Sequence, residues 1–97
     1  MRLSENNIKF QVKDFLAIKH IFSFHITQGL GSYAGVPDRV LHFQGRVVYL
    51  EIKRPGGKMS EHQLAFQEQC SRDGILYFCV SSIEELAAQL DEVEKRS

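Results

Sequence analysis

The 97-residue sequence contains no long apolar run, no excess of charge of either sign and only two cysteines. No segment approaches the roughly 20 consecutive apolar residues of a membrane-spanning helix, and the N-terminus has no apolar signal core, so we expect neither membrane insertion nor export. The twelve basic and twelve acidic residues cancel, which excludes a protein that attracts nucleic acid to its whole surface through net charge. We therefore expect a soluble cytoplasmic protein with no membrane partner.

Cysteine and histidine do not form a recognisable metal-binding pattern. Cys70 and Cys79 are too far apart for a CxxC pair, and neither has zinc-finger spacing to any of the four histidines. We expect two buried free thiols in a reducing compartment, and histidines that lie at the surface or at an edge.

Length and composition predict one folded domain that spans residues 1–97. The length lies near the lower end of the common domain size, and no change in composition divides the chain. Charged residues make up 25% of the sequence, close to the globular average, which favours a folded chain over a disordered one. The core of such a small domain is modest, and pairing with a second copy would enlarge it.

Charge is distributed unevenly along the chain. Basic residues cluster in the middle, at Arg39, Arg46, Lys53, Arg54 and Lys58. Acidic residues crowd the last segment, at Glu84, Glu85, Asp91, Glu92 and Glu94. We expect any polyanion to bind the middle region, through Arg39, Arg54 and Lys58 in particular.

Apolar periodicity and turn residues predict an α/β fold with the element order α-β-β-β-α-β-α. The predicted elements are a helix from Ser4 to about His20, strands at 22–27, 38–43 and 46–54, a helix from Ser60, a strand at 75–80 and a helix from Ser82. The apolar positions of the first two helices include Ile18 and Leu64, and Glu85, three residues after Ser82, is the expected capping-box partner of the last helix. Gln44-Gly45 is a link suited to an antiparallel hairpin, and the strand at 75–80 is expected parallel to the one at 46–54. The core is therefore expected to be a mixed β-sheet flanked by helices.

A loop with three glycines, Gln28 to Pro37, resembles a phosphate-binding loop only superficially. A dinucleotide fingerprint opens into a helix, whereas these glycines lead through Pro37 into a strand. We expect a flexible loop near the active region and no nucleotide cofactor. Tyr33, within this loop, is a candidate for stacking on a base or sugar, although a loop tyrosine is as often ordinary packing.

The chemically most informative residues are three charged groups at the ends of two neighbouring strands. Asp38 opens one strand after a Gly-Val-Pro turn, and Glu51 and Lys53 close the other on one face. If the hairpin pairs around Gln44-Gly45, Asp38 and Glu51 are each six residues from the turn and meet at the same end of the sheet.

Two adjacent carboxylates repel each other unless a cation lies between them. Asp38, Glu51, a backbone carbonyl near Ile52 and water make an all-oxygen ligand set, which suits Mg²⁺ or Mn²⁺ better than zinc. Lys53 beside this site would orient an attacking water or stabilise charge that develops on a phosphate.

The run Gly-Val-Pro-Asp at 35–38, followed after twelve residues by Glu-Ile-Lys at 51–53, resembles the PD-(D/E)xK nuclease superfamily. It is most similar to the VRR-NUC family, the virus-type replication-repair nucleases. The similarity covers nearly the whole chain, since it includes an N-terminal helix with a glutamate and a Ser-x-x-Gln helix start at 60–63.

The resemblance implies a role for individual residues. Asp38 and Glu51 would be catalytic metal-binding carboxylates, and Lys53 the catalytic lysine. Gln63 would support the site from the following helix, and Glu5 would match the acidic residue of the first helix. Glu5 borders the apolar stripe of that helix, so it is placed to reach the end of the sheet.

The resemblance also implies an activity and partners. It implies a restriction-endonuclease-like core and a Mg²⁺- or Mn²⁺-dependent endonuclease that hydrolyses DNA phosphodiester bonds. Standalone members of the family are similar in size to this chain, occur in bacteriophages and look like dimeric resolvases of branched DNA. We therefore expect a homodimer acting in DNA repair on branched substrates such as four-way (Holliday) junctions, in the host cytoplasm if the gene belongs to a phage.

Other interpretations of the same residues remain open. The chain is alternatively a catalytically silent nuclease-like module that binds DNA or protein, or an α/β interaction domain that docks a partner through its acidic last helix. Asp38 would then be a turn residue, and Glu51 and Lys53 a solvated pair. Gln63 and Glu5 each have a simpler role at a helix start, as a capping-box residue and as a carboxylate favoured by the helix dipole.

Overall fold

The computed structural model describes residues 4–96 and has the element order that the sequence predicts. The bounds of the elements are α1 Glu5–Ile18, β1 Ser23–His25, β2 Arg39–Phe43, β3 Arg46–Ile52, α2 Glu61–Asp73, β4 Leu76–Val80 and α3 Ile83–Arg96. The four strands form one sheet in the order β1-β2-β3-β4, with β1, β2 and β3 antiparallel and β4 parallel to β3. The predicted mixed sheet is confirmed.

The β2–β3 hairpin fixes the register on which the site depends. Gln44 and Gly45 both have positive φ, 55° and 74°, as a two-residue type I′ turn requires. Arg39 faces Leu50 in the resulting ladder, and the Asp38 backbone N–H donates to the Leu50 carbonyl, so Asp38 lies at the same end of the sheet as Glu51. That the two carboxylates form one site stays a prediction.

Helices cover both faces of the sheet. Ile8 of α1 and Leu86 of α3 join Val48, Leu50 and Ile52 of β3 in a single core cluster on one face. These alternate residues of β3 are fully buried, because successive side chains of a strand point to opposite faces.

On the other face, α2 packs over β3 and β4 through aromatic contacts. The ring of Phe66 lies edge-on to Tyr49, with centroids 5.1 Å apart, and tilted against Tyr77 at 6.1 Å. Glu51 and Lys53 belong to this face of β3, so the start of α2 lies over the chemically active end of the sheet.

Caps begin the helices where the sequence predicts them, with one difference. Ser4 caps α1, and Ser60 forms a reciprocal capping box with Gln63 at the start of α2. Ser82 accepts a hydrogen bond from the Glu85 backbone N–H, but the predicted capping-box partner is wrong in detail. The Glu85 carboxylate instead accepts from the backbone N–H and the hydroxyl of Ser81, because together these offer it two donors.

Several predicted boundaries and burials are corrected. The strands at 22–27, 38–43, 46–54 and 75–80 are shorter than predicted, since the chain leaves the ladder at the turn residues that flank them. Ile18 and Leu64, expected on buried helix faces, are exposed because the helices turn these positions away from the sheet. Cys70 is a buried free thiol, whereas Cys79 is only half-buried.

Four aromatic residues of the sheet region, Phe22, Phe24, Tyr77 and Phe78, are candidates for a partner surface and divide into two groups by exposure. Phe22 and Phe24 are 61% and 46% exposed on the part of the sheet that α2 does not cover. Phe78 is buried in the core and Tyr77 is half-buried under α2, so neither is available to a partner. Tyr77 and Phe78 lie on β4, an edge strand that has helices on both of its faces, which explains the difference.

The described helices include none with the length and apolar character needed to cross a bilayer.

Gly35 brings the glycine loop against the start of α2. It has a φ of +85°, and a Cβ at this position would overlap the backbone carbonyl of His62. The absence of a side chain therefore permits the close approach that sets the Pro37–Asp38 segment beside α2.

Gly35→Ala is expected to destabilise the protein by about 2 kcal/mol or more, through the strain of a positive φ and the overlap with His62. The measurement is chemical denaturation of this variant and of Gly31→Ala. Gly31 has nearly the same φ, +88°, but nothing within 4 Å of an added Cβ. Equal losses of stability in the two variants would show that the approach to His62 is unimportant.

Candidate active site

Asp38 is held rigidly at the start of β2. It follows the buried Pro37, and its backbone N–H donates to the Leu50 carbonyl at 3.0 Å. Its carboxylate Oδ2 accepts from the Ile52 backbone N–H at 2.7 Å, so the side chain bridges to β3. Charge-assisted bonds of this kind are stronger than neutral ones, which fixes the carboxylate against the neighbouring strand.

Glu51 is a buried carboxylate with only a few compensating partners. Its side chain is on the α2 side of β3, and the residue is 2% exposed. Oε2 lies 3.5 Å from Nζ of Lys53 and accepts a 3.2 Å hydrogen bond from Nε2 of Gln63. Oε1 is buried and has no hydrogen-bond partner among residues 4–96. A buried carboxylate oxygen without a partner is costly, so this oxygen is available for a ligand.

The surroundings of Glu51 disfavour its charged form. Burial, followed by the charge of Asp38, raises the pKa of Glu51 from 4.5 to about 7, although the charge and hydrogen bond of Lys53 act in the opposite direction. A carboxyl group in this state gains more than an ordinary one from a nearby cation.

Lys9 is a site residue that the sequence analysis missed. Its Nζ lies 3.1 Å from Oδ1 of Asp38 and 3.3 Å from Oε2 of Glu5, and it joins the two acids. Burial lowers the pKa of Lys9, but the hydrogen bonds and charges of Asp38 and Glu5 outweigh it and raise the pKa overall. The i,i+4 spacing from Glu5 was the available signal, but it does not show that α1 crosses the end of β2.

Gln63 takes part in two interactions that the sequence analysis treated as alternatives. Its Oε1 accepts from the Ser60 backbone N–H at 2.9 Å and completes the capping box. Its Nε2 donates to Glu51. The Gln63 side chain thus caps the N-terminus of α2 and also contacts the buried carboxylate of Glu51.

Tyr77 is a second unforeseen neighbour of Glu51. It lies on β4, two residues before Cys79, which faces Glu51 in the parallel ladder. Its hydroxyl is buried and has no hydrogen-bond partner among residues 4–96. Burial raises its pKa, and the charge of Glu51 adds to this effect.

The remaining predicted site residues lie either beside Asp38 or on loops. Arg39 donates to the Ser23 hydroxyl from β2, next to Asp38, and Ile52 lies beside the same carboxylate. Tyr33 is exposed, and its ring meets the edge of Phe66, with centroids 6.4 Å apart. Arg54 and Lys58 are exposed on the loop after β3.

The donor set fits a hard divalent cation, although a group of three His, Cys, Asp or Glu side chains arranged around a common point is not found within 4–96. Mg²⁺ commonly binds through one or two carboxylates and keeps several waters, so Asp38 and Glu51 suffice. The free Oε1 of Glu51 is the observation that favours this fit. Lys9 already contacts Oδ1 of Asp38, and a cation at that oxygen would share it with Lys9 or displace it.

Replacing Glu51 with glutamine is expected to stabilise the protein at high pH in the presence of a chelator. With a pKa of about 7 when folded and 4.5 when unfolded, Glu51 binds more protons in the folded state, so wild-type stability falls as pH rises from about 4.5 through 7. Glu51→Gln should equal wild type near pH 4 and exceed it by roughly 3 kcal/mol at pH 8.5, measured by urea denaturation. Glu94→Gln on α3 is the control for loss of one carboxylate; a constant difference across this range would contradict the prediction.

Replacing Gln63 with glutamate separates its two interactions. Glutamate still accepts from Ser60 and keeps the capping box, but it loses the donor to Glu51 and brings a carboxylate beside it. Gln63→Glu is expected to lower the free energy of unfolding at pH 8 by about 1–3 kcal/mol, with a smaller loss at pH 5. Urea denaturation at both pH values checks this; if the capping box were its only role, Gln63→Glu would match wild type and Gln63→Ala alone would lose stability.

Comparison with known proteins bears on the fold. No protein-family model matches the sequence, and no curated protein is significantly similar to it. Among solved structures, the chain is similar to a VRR_NUC domain, with 22% identity, a TM-score of 0.71 and 94% of each chain covered. It is also similar to a VRR_NUC domain protein, with 16% identity, a TM-score of 0.73, and 97% of this chain and 88% of that chain covered. The chain therefore has the fold of the VRR_NUC domains, as the GVPD and ExK motifs predicted.

Proposed function

We propose that this protein is a metal-dependent DNA endonuclease that hydrolyses phosphodiester bonds. The proposal rests on Asp38, Glu51 and Lys53, which lie at one end of the sheet, and on a buried Glu51 oxygen that has no hydrogen-bond partner among residues 4–96. The similarity to VRR_NUC structures supports it, because the same motifs that predict this fold also supply the three residues.

In this proposal, Asp38 and Glu51 hold Mg²⁺ or Mn²⁺, with the Ile52 carbonyl as a further ligand and Glu5 as an outer acidic group. The bound cation would polarise the scissile phosphate and lower the pKa of a water molecule. The Ile52 N–H holds Oδ2 of Asp38 in place, so this carboxylate needs little reorganisation to act as a ligand.

Lys53 is proposed as the catalytic lysine. Its ammonium lies on the same face as Glu51 and 3.5 Å from its carboxylate, which supports a position beside the bound phosphate. From there it stabilises the negative charge that develops on the phosphate and orients the attacking water. Gln63 positions Glu51 through its hydrogen bond.

Branched DNA, including four-way junctions, is the proposed substrate, and a two-fold homodimer the proposed assembly. One active site cuts one strand, so paired incisions across a junction require two sites at a fixed separation. The exposed Phe22 and Phe24 at the uncovered edge of the sheet favour a second copy as the partner. Their rings lie 6.0 Å apart, and Phe22 also contacts His42 at 4.9 Å, so the patch is continuous.

Cleavage by wild type is expected on four-way or flapped DNA with Mg²⁺ or Mn²⁺, and Lys53→Ala is expected to reduce kcat by about 10²–10³. The assay compares single-stranded, duplex, flapped and four-way DNA. Lys95→Ala, at an exposed position of α3, is the matched control and should cleave like wild type. Full-rate cleavage by Lys53→Ala would refute the role of this lysine.

Metal-dependent stability distinguishes the proposed nuclease from a module that only binds DNA or protein. Mn²⁺ at about one hundred times its Kd should stabilise wild type by about 2.7 kcal/mol, seen as a rise in Tm, and this rise should be lost in Asp38→Asn and Glu51→Gln. Asp38→Asn retains an acceptor for the Ile52 N–H, so it removes the charge with least disturbance of the strand pair. The same rise in both variants and wild type, with no cleavage of any substrate, would overturn the proposed function.

A further inference from the structure

A cleft of about 510 Å³ opens beside Asp38, between α1 and the segment that follows β1. Helix α1 contributes Lys9, Phe10 and Lys13 to its lining, and the sheet side contributes His25 and Arg39. Asp38 also lines the cleft, so it begins at the proposed catalytic centre and leads away from it.

The cleft is basic although the whole chain has no net charge. Within residues 4–96, Lys13 has no carboxylate at ion-pair distance, and Arg39 donates hydrogen bonds only to the Ser23 hydroxyl. No carboxylate of residues 4–96 lies at ion-pair distance from the Arg39 guanidinium either, so a paired counter-charge is missing there. An anionic ligand would supply one.

An exposed aromatic ring accompanies these cations. Phe10 lines the cleft and is 71% exposed, whereas Ile18 on the same helix is 74% exposed and does not line it. Lys13 follows Phe10 at i,i+3 on α1, so the Phe10 ring and the Lys13 ammonium are neighbours on the helix surface. A ring that stacks on a base beside a cation that pairs with a phosphate is the usual arrangement for binding single-stranded nucleic acid.

We infer that this cleft binds an unpaired nucleotide of the DNA strand next to the scissile phosphate, with Phe10 stacking on its base and Lys13 and Arg39 contacting its phosphates. The inference rests on the proposed function for the identity of the polymer. Selectivity would follow from the substrate, because a flapped DNA offers an unpaired nucleotide beside the cut and an intact duplex does not.

The chemistry of the lining favours an unpaired strand over a duplex. A duplex exposes phosphates to lysine and arginine, but its bases are stacked and cannot meet an aromatic ring outside the helix. Cations alone would serve a duplex, whereas Phe10 adds binding energy only where a base is free to leave its stack.

The test is fluorescence anisotropy of labelled oligothymidylate and of a labelled blunt duplex, in EDTA, so that binding is measured without cleavage. Two matched pairs isolate the cleft: Phe10→Ala against Ile18→Ala, and Lys13→Ala against Lys19→Ala, all at exposed positions of α1 or its C-terminus. Phe10→Ala should weaken binding of oligothymidylate about tenfold and leave duplex binding unchanged. Lys13→Ala should reduce the slope of log K against log salt by about 0.7 for the single strand.

Wild-type affinity for oligothymidylate in Phe10→Ala, or equal losses for single strand and duplex, would overturn the inference. The same proteins assayed with Mn²⁺ separate it from the proposed function. Cleavage with no effect of Phe10→Ala on single-strand binding refutes the cleft alone. The predicted binding losses without cleavage of any DNA refute the nuclease and leave the cleft as a single-strand binding site. Absence of both binding and cleavage refutes both.

Discussion

The buried carboxylate of Glu51 is the constraint on which the rest of the site depends. A carboxylate at 2% exposure beside Asp38 is unfavourable, and the fold surrounds it with groups that offset the cost. Lys53 supplies charge and Gln63 supplies a hydrogen bond, but both reach Oε2, and Oε1 has no partner within 4–96. The arrangement is incomplete as a purely structural ion pair, which is why we interpret it as a site for a cation and a phosphate.

Lys9 adds a positive charge to the acidic end of the site. Its ammonium contacts Asp38 and Glu5, and it offsets part of the acidic charge while no divalent ion is bound. In the proposed function, a cation at Oδ1 of Asp38 would compete with this ammonium, and Lys9, which also lines the basic cleft, would then be free to attract a phosphate.

The sequence was sufficient for the features that depend on local rules. Gln44-Gly45 requires a tight hairpin, and counting from it correctly placed Asp38 and Glu51 at the same end of the sheet. The Ser-x-x-Gln pattern correctly predicted the cap of α2 at Ser60. Features that depend on packing between distant elements could not be predicted: that α1 brings Lys9 to Asp38, that Tyr77 lies beside Glu51, and that Phe10 borders a cleft. Even Glu85, which has a capping-box position, bonds to Ser81 because the local geometry offers it more donors there.

The most direct test of the central claim is anomalous diffraction from crystals of the wild-type protein grown with Mn²⁺. We predict an anomalous peak at the carboxylates of Asp38 and Glu51, with Nζ of Lys9 moved away from Asp38. A map with no peak there, in which Lys9 still contacts Asp38 and Glu51 Oε1 remains without a ligand, would contradict it.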